Sequence, residues 1–445
     1  MLQIYKPHPY QTIADHFIKE RDFCALFLDM GLGKTIIVLT AIKYFFDICD
    51  LDKPLIIAPK FVTEHTWPAE LAKWEHLQGL TISVIAGTEI ERKSAFYRKA
   101  DIYIVSRDNI AWLVNWLKAI KRRWPFDMLV LDELSSFKNH KAKRFKAVRD
   151  IRPLVGRVIG LTGTPTPNGL IDLWAQMYLI DQGASLFKLI GTYREQFFKT
   201  IPQGDRRVSY DLRVGKDEPI YERLKPRVLS MKAEDWLTLP DRTDIVIEVT
   251  LDDYSEYKEF KKEKILETPE KQITAFNSSA LYMKLLQYSN GAVYDDEHNY
   301  HVVHDAKLDA LVEAAELLEG KPLLIFYQFQ SDVDRIQKRI KGVSLFKSAK
   351  DVDRWNRKEI NILLVHEASV AFGLNLQDGG NWIFWFGVTN KMELYWQCVK
   401  RLHRQGQLSK VFNYHFITKG TPEKGVYSSL QNKTLTQDKL MIALK

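Results

Sequence analysis

Cysteine is scarce in this chain. There are three in 445 residues, Cys24, Cys49 and Cys398, too far apart to form a metal-ligand spacing. A disulfide framework is therefore excluded, and a reducing compartment is expected. Two of the cysteines lie in apolar surroundings and read as core residues. No apolar run approaches the roughly 18 residues that a membrane span needs. The N-terminus, Met-Leu-Gln-Ile-Tyr-Lys-Pro-His, lacks the apolar core of a signal peptide. The expectation is a cytoplasmic protein with no membrane partner. Glycine and proline, 22 and 16 residues, are not enriched, and there is no low-complexity tract or short repeat. Disordered and fibrous classes are excluded with them.

What is present is an ordinary globular composition, 46% hydrophobic, with a formal charge of +8 and a pI near 9.0. The length suits two or three domains. The mild positive excess is compatible with a polyanionic partner, which many basic proteins nevertheless lack. Apolar runs at 23–28, 54–58, 81–86, 102–106, 127–131 and 157–161 alternate with helical stretches near 34–49, 63–77, 107–120 and 168–181. That alternation predicts a parallel sheet covered by helices. A second series follows at 323–327, 343–346, 361–365, 382–386 and 411–416. The expected fold class is α/β, two RecA-like parallel-sheet lobes in tandem with helical insertions between them. Residues 1–228 form the first lobe, with a helical, basic insertion at about 185–228 that includes Gln203-Gly-Asp-Arg-Arg207. Residues 229–445 hold the linker, a helical insertion at about 252–300 and the second lobe. Residues 252–290 read as long helices, packed on a lobe or extending from it. Thr421 and Pro422 open a final helix as cap and first residue.

The densest signal is Asp29-Met-Gly-Leu-Gly-Lys-Thr35, directly after the apolar run Phe23–Leu28. Two glycines let the backbone curl so that its N–H groups face one point. A helix opening at Lys34-Thr35 adds its dipole, and Lys34 adds a full charge. This is a cradle for a nucleotide's phosphates, with the Thr35 hydroxyl placed to touch Mg²⁺. Leu28 stands where the strict P-loop pattern wants a further glycine. Alone, the pattern also suits a glycine turn with a solvated lysine.

A second strand, Met128–Leu131, runs into Asp132-Glu133. Ligands of parallel sheets bind beyond the strands' carboxyl ends, so both motifs can meet at one edge. Asp132 is then a metal ligand and Glu133 a base for the attacking water. Leu161-Thr-Gly-Thr-Pro-Thr-Pro-Asn168 follows another strand. Its hydroxyls can link the metal site to a cleft, although a bare Thr-Gly-Thr-Pro is more often only a turn. Arg401 and Arg404 are spaced to share a helix face and to reach a γ-phosphate as arginine fingers. The alternative is a solvated basic face.

In this order the motifs resemble superfamily-two helicases, and within them the Swi/Snf-like branch of double-stranded DNA translocases. Tyr10-Gln11 is similar to the adenine-reading glutamine motif, and Asp29–Thr35 to motif I. Trp67-Pro-Ala-Glu-Leu-Ala-Lys-Trp74 is similar to the segment after motif Ia. Leu161–Asn168 with Leu173-Trp174 resembles motif III. Leu237–Val249 resembles the link into the second lobe, and Leu324-Ile-Phe-Tyr-Gln-Phe329 resembles motif IV. Gly373-Leu-Asn-Leu-Gln377 and Arg401-Leu-His-Arg-Gln-Gly-Gln407 resemble motifs V and VI. Asn290-Gly-Ala-Val-Tyr-Asp295 and Ser369–Gln377 are similar to stretches of compact phage and prophage members. The likeness covers about residues 8–430.

The resemblance implies a DNA-dependent ATP hydrolase that needs ATP and Mg²⁺ and moves on double-stranded DNA largely without sequence preference. It would act as a monomer in a bacterial or infected-host cytoplasm. It assigns ATP binding to Tyr10, Gln11, Met30, Gly31, Leu32, Gly33, Lys34, Thr35, Gly373 and Asn375. Catalysis falls to Lys34, Asp132, Glu133, Arg401 and Arg404, and the metal to Thr35 and Asp132. Coupling and DNA contact fall to Ser106, Thr162, Thr164 and Asn375. The sequence departs from the family at Ser135, where a histidine usually bridges motifs II and III, and at Ser369-Val-Ala371, where motif V usually has paired glycines. Two other readings stay open: a strand-separating DNA or RNA helicase, and an ATP-gated nucleic-acid clamp with little turnover.

Overall fold

The computed structural model describes residues 2–202, 208–268, 271–318, 320–372 and 374–445. The chain forms two compact units. Met1–Leu237 and Lys433–Lys445 make the first, and Thr238–Asn432 the second. In the first unit, strands β1 (Phe23–Leu28), β2 (Pro54–Ala58), β3 (Ile82–Ile85), β4 (Ile102–Ser106), β5 (Met128–Asp132) and β6 (Arg157–Thr162) match the six apolar runs. Five of these six strands are buried from end to end or all but their first residue. Near-continuous apolar runs of this kind belong to parallel strands covered on both faces. The exception is β3, which alternates because it is the edge strand.

The sheet order is β3-β4-β2-β5-β6-β1-β9, and every pairing is parallel. The strand β9 (Val228–Met231) comes after an antiparallel hairpin, β7 (Phe198–Pro202) and β8 (Val208–Leu212). The expected boundary at 228/229 therefore moves to 237/238. Val228 to Met231 lie alongside Ala25 to Leu28 and complete the first sheet. The insertion at 185–228 holds two short helices, Ile190–Phe197 and Asp217–Leu224, around that hairpin. Its segment 203–207 lies outside the described residues.

The second unit opens with β10 (Arg242–Val249). Two short antiparallel hairpins follow, β11 (Ile265–Glu267) with β12 (Gln272–Thr274), and β13 (Ala292–Tyr294) with β14 (Tyr300–Val302). Then come β15 (Leu323–Tyr327), β16 (Val343–Leu345), β17 (Ile362–His366), β18 (Trp382–Trp385) and β19 (Val411–Thr418). The sheet order is β10-β19-β18-β15-β17-β16, again all parallel.

The expected long helices of 252–290 are two shorter ones, Ser255–Glu263 and Ser278–Asn290. The first stops at Lys264, which takes a left-handed conformation (φ 61°). The second starts where the Asn277 carboxamide oxygen accepts from the Ala280 N–H at 2.8 Å. With β11 to β13 they close a small core of their own, which includes Leu251, Tyr257, Phe260, Leu266, Leu285, Tyr288 and Val293.

The closing helix, Glu423–Ala443, starts in the second unit and ends in the first. Thr421 was expected to cap it. Its hydroxyl donates back to the Thr418 carbonyl at 2.7 Å, and the helix starts two residues on, at Glu423. Cys24 and Cys398 are buried and Cys49 is exposed, all three as free thiols. Among the described residues no helix is long and apolar enough to cross a membrane.

Candidate nucleotide site

Three neighbouring strands of the first sheet, β5, β6 and β1, end at the same edge. Asp132 lies opposite Leu161, and Thr162 lies opposite Phe27. The carboxylates, the Thr-Gly-Thr loop and the glycine loop therefore emerge side by side, in the crevice where a parallel sheet takes its ligands.

The glycine loop has the conformation its sequence predicts. Gly31 and Gly33 have φ of 92° and 71°, and the helix Lys34–Asp47 starts at the next residue. Only glycine adopts these angles without cost. Gly33 is also approached closely from outside the loop: a Cβ there would lie 2.6 Å from the Gln11 amide nitrogen. That close approach brings the glutamine of Tyr10-Gln11 onto the loop. The Gln11 side-chain oxygen is held by the His8 N–H at 2.9 Å. Tyr10 is buried beneath, tilted against Trp236 at 5.9 Å between ring centroids. Gly163 backs onto the other side of the loop, where a Cβ would stand 3.3 Å from the Leu28 carbonyl oxygen and 3.4 Å from the Met30 nitrogen.

Lys34 folds over its own loop, donating to the carbonyls of Leu28 at 2.7 Å and Asp29 at 3.2 Å. Burial draws its pKa below the usual lysine value, opposed by the charges of Glu133, Asp132 and Asp29. The carboxylates of motif II thus act electrostatically on the lysine of motif I. Burial pushes Asp132 upward, and a hydrogen bond from Trp67 and the charge of Lys34 oppose it. The Trp67 indole N–H donates to Asp132 Oδ2 at 3.0 Å, and the Glu133 N–H donates to Oδ1 at 3.0 Å. Glu133 itself is left-handed (φ 50°), an uncommon conformation for a residue with a side chain.

Trp67 is a site residue that sequence reasoning missed in this role. It lies 65 positions from Asp132, and no spacing rule connects them. One signal is local: a π-helical turn, Val62–Thr66, immediately precedes it, and such turns gather at functional sites.

Thr162 and Thr164 are buried, and the Thr164 N–H donates to the Thr162 hydroxyl at 3.1 Å. The Ser135 hydroxyl is buried and has no hydrogen-bond partner among the described residues. It does not replace the histidine link from motif II to motif III. Ser106 is buried at the carboxyl end of β4, on the same edge as the glycine loop.

In the second unit the motif V segment and the motif VI segment are laced together. Arg401 donates to the Leu374 carbonyl at 3.4 Å, and Arg404 to the Asn375 side-chain oxygen. Gln407 donates to the carbonyls of Gln377 and Gly380 at 2.9 and 2.8 Å. Burial lowers the Arg404 pKa, against the charge of Asp378. The two arginines do not share a helix face. The helix Met392–Val399 ends before them, and tight turns carry the chain onward (Leu402 N–H to Val399 carbonyl, 3.2 Å; Arg404 N–H to Leu402 carbonyl, 3.1 Å). Gly373 lies outside the described residues.

Among the described residues no cluster of three histidine, cysteine or carboxylate side chains could hold a metal unaided. The oxygen donors Asp132 and Thr35 still suit Mg²⁺, which is typically bound by one or two carboxylates plus substrate phosphates and water.

Fold and site together define a P-loop nucleotide hydrolase. The sequence pattern of the SNF2-related domain matches residues 18–292, and the chain belongs to that family. Protein p41 of Acyrthosiphon pisum secondary endosymbiont phage 1 is 34% identical over 100% of both chains. The uncharacterized ATP-dependent helicase MG018 of Mycoplasma genitalium is 26% identical over 95% of this chain and 41% of its own length. The CHD3-type chromatin-remodeling factor PICKLE of Arabidopsis thaliana is 24% identical over 98% of this chain and 34% of its own. The chain thus spans well under half the length of these two cellular relatives. Among solved structures, the Sulfolobus solfataricus SWI2/SNF2 ATPase core in complex with dsDNA aligns with 100% of this chain and 96% of its own, at 21% identity and a TM-score of 0.46.

Proposed function

We propose that this chain is a DNA-dependent ATPase that translocates on intact double-stranded DNA, in phage or bacterial replication, recombination or remodelling of protein–DNA complexes. One observation carries the reading. Lys34, Asp132 and Glu133 converge at the carboxyl edge of the two strands that flank β6, in a member of the SNF2-related family. In this reading the glycine-loop N–H groups and Lys34 bind the β- and γ-phosphates of ATP. Lys34 exchanges its carbonyl partners for phosphate oxygens. Glu133 accepts the proton of the attacking water, and Gln11 and Tyr10 border the base. Asp132 and Thr35 hold Mg²⁺, which neutralises developing phosphate charge when bound. Arg401 and Arg404 stabilise the charge on the transferred γ-phosphate. DNA is gripped through its phosphates, with the exposed Asn375 as a contact and the buried Ser106, Thr162 and Thr164 coupling that grip to the nucleotide, so affinity falls with salt and depends little on sequence.

The test is ATP turnover against matched single-stranded DNA, double-stranded DNA and RNA, alongside triplex displacement and fork unwinding. Greatest stimulation by duplex, with a third strand displaced and a fork left paired, is the expected result. Fork unwinding without triplex displacement promotes the helicase reading. Nucleotide binding with negligible turnover on every nucleic acid promotes the clamp.

A further inference from the structure

The closing helix does more than end the fold. Gln437, Leu440 and Met441 on its final turns, and Leu444 just past its end, are buried in the first unit. Their spacing of three and four places them on one face. Three of them are apolar and join the core of that unit. Gln437 is the polar member of the stripe, 7% exposed. A buried amide is costly unless it is hydrogen-bonded. Its nitrogen donates to the Gly163 carbonyl at 3.3 Å, and only this orientation of the amide satisfies that carbonyl. Gly163 is the residue between Thr162 and Thr164, and it backs directly onto the start of the glycine loop. The end of the chain is fixed at this register by the segment 230–235. Lys232 pairs with Asp438 at 2.8 Å, the Ser230 hydroxyl donates to the Met441 carbonyl at 2.9 Å, and Lys445 pairs with Asp235 at 2.6 Å.

We propose that Gln437 is a positioning residue for the Thr162-Gly163-Thr164 loop. It supplies from outside the sheet the restraint that motif II does not provide here, since the Ser135 hydroxyl has no hydrogen-bond partner among the described residues. The loop lies between the glycine loop and the carboxylates, so its position sets how DNA engagement is felt at the phosphates. The proposal rests on the DNA-dependent ATPase reading for its consequence, and on the hydrogen bond alone for its structural part.

Two variants of the full chain test it. Gln437→Met keeps length and removes the donor. Gln437→Glu keeps shape and acceptors and removes the donor. Hydrogen exchange at 162–168, without nucleotide or DNA, should quicken in both. Unchanged exchange would overturn the proposal whatever the protein does with DNA. The ratio of duplex-stimulated to basal turnover should fall about 5-fold, within the range that one hydrogen bond supplies, with the KM for ATP unmoved. Leu440→Ala controls for packing: it should lower the melting temperature and leave that ratio unchanged. If Leu440→Ala lowers the ratio as much, or if Gln437→Glu behaves as the parent, the donor is not the cause and the assignment fails. Absence of stimulation in the parent chain would instead refute the duplex reading, with the exchange measurement still deciding the role of Gln437.

Discussion

Replacing Trp67 with phenylalanine should weaken the proposed Mg²⁺ site without touching it. The indole N–H is one of two groups that bond the Asp132 carboxylate, and it does so at 3.0 Å from a fully buried ring. Phenylalanine keeps most of the apolar volume and deletes the donor. A hydrogen bond to a charged group contributes about 1.5–3 kcal/mol, and about 1.4 kcal/mol corresponds to tenfold in an equilibrium constant. Removing a partner that orients a metal-binding carboxylate typically costs about 10- to 100-fold in metal affinity, which agrees. The assay is ATP turnover against Mg²⁺ concentration at fixed ATP, with folding followed by circular dichroism. The half-saturating Mg²⁺ concentration should rise by about 10- to 100-fold, while the rate at saturating metal stays close to that of the parent. The reasoning would be refuted by an unchanged Mg²⁺ dependence in a folded protein. A lower rate at every Mg²⁺ concentration would equally show that the indole serves packing and not the carboxylate.

Glu133→Gln should bind ATP and hydrolyse it at least about 100-fold more slowly, as expected for a lost base; near-normal single-turnover rates would reassign the base. Arg404→Ala should lower kcat more than it raises KM, because its proposed role is in the transition state. A pure KM effect in steady-state kinetics would make it a binding group. In the second unit, burial raises Asp332 from 3.8 to about 6. The folded state then holds this proton more tightly than the unfolded state, so stability should fall as the pH rises between those values and level off above them. Asp332→Asn should flatten that part of a urea-unfolding profile measured across pH, and a slope that persists would assign it to another group.

Much of this molecule can be read from its sequence because the strands are buried on both faces. Runs such as Phe23–Leu28 and Ile102–Ser106 carry no competing period, and glycines and carboxylates follow them directly. The glycine loop was legible for the same reason: its angles demand glycine at Gly31 and Gly33. The failures have physical causes too. Arginine spacing suggested a helix through 401–404, but periodicity does not reveal where a helix stops, and the last turn closes at Val399. The helices of 252–290 looked continuous because a short hairpin such as Ile265–Thr274 is too brief to show its own period. The contacts of Trp67 and Gln437 could not be read. Their partners, Asp132 and Gly163, lie 65 and 274 residues away, and only the folded chain brings them together.

The route of the chain has a consequence for how the protein is made. Residues 433–445 belong to the first unit, with Leu440, Met441 and Leu444 in its core, yet they are synthesised after the whole of the second. A nascent chain that has released Met1–Leu237 from the ribosome therefore holds a sheet with part of its apolar cover missing. It must wait through the translation of nearly two hundred further residues, Thr238–Asn432, before that cover arrives. Long waits with exposed apolar surface favour aggregation and chaperone capture. A gene fragment ending at the first unit's obvious boundary should accordingly yield an insoluble product, and adding residues 433–445 in trans or by circular permutation should recover it.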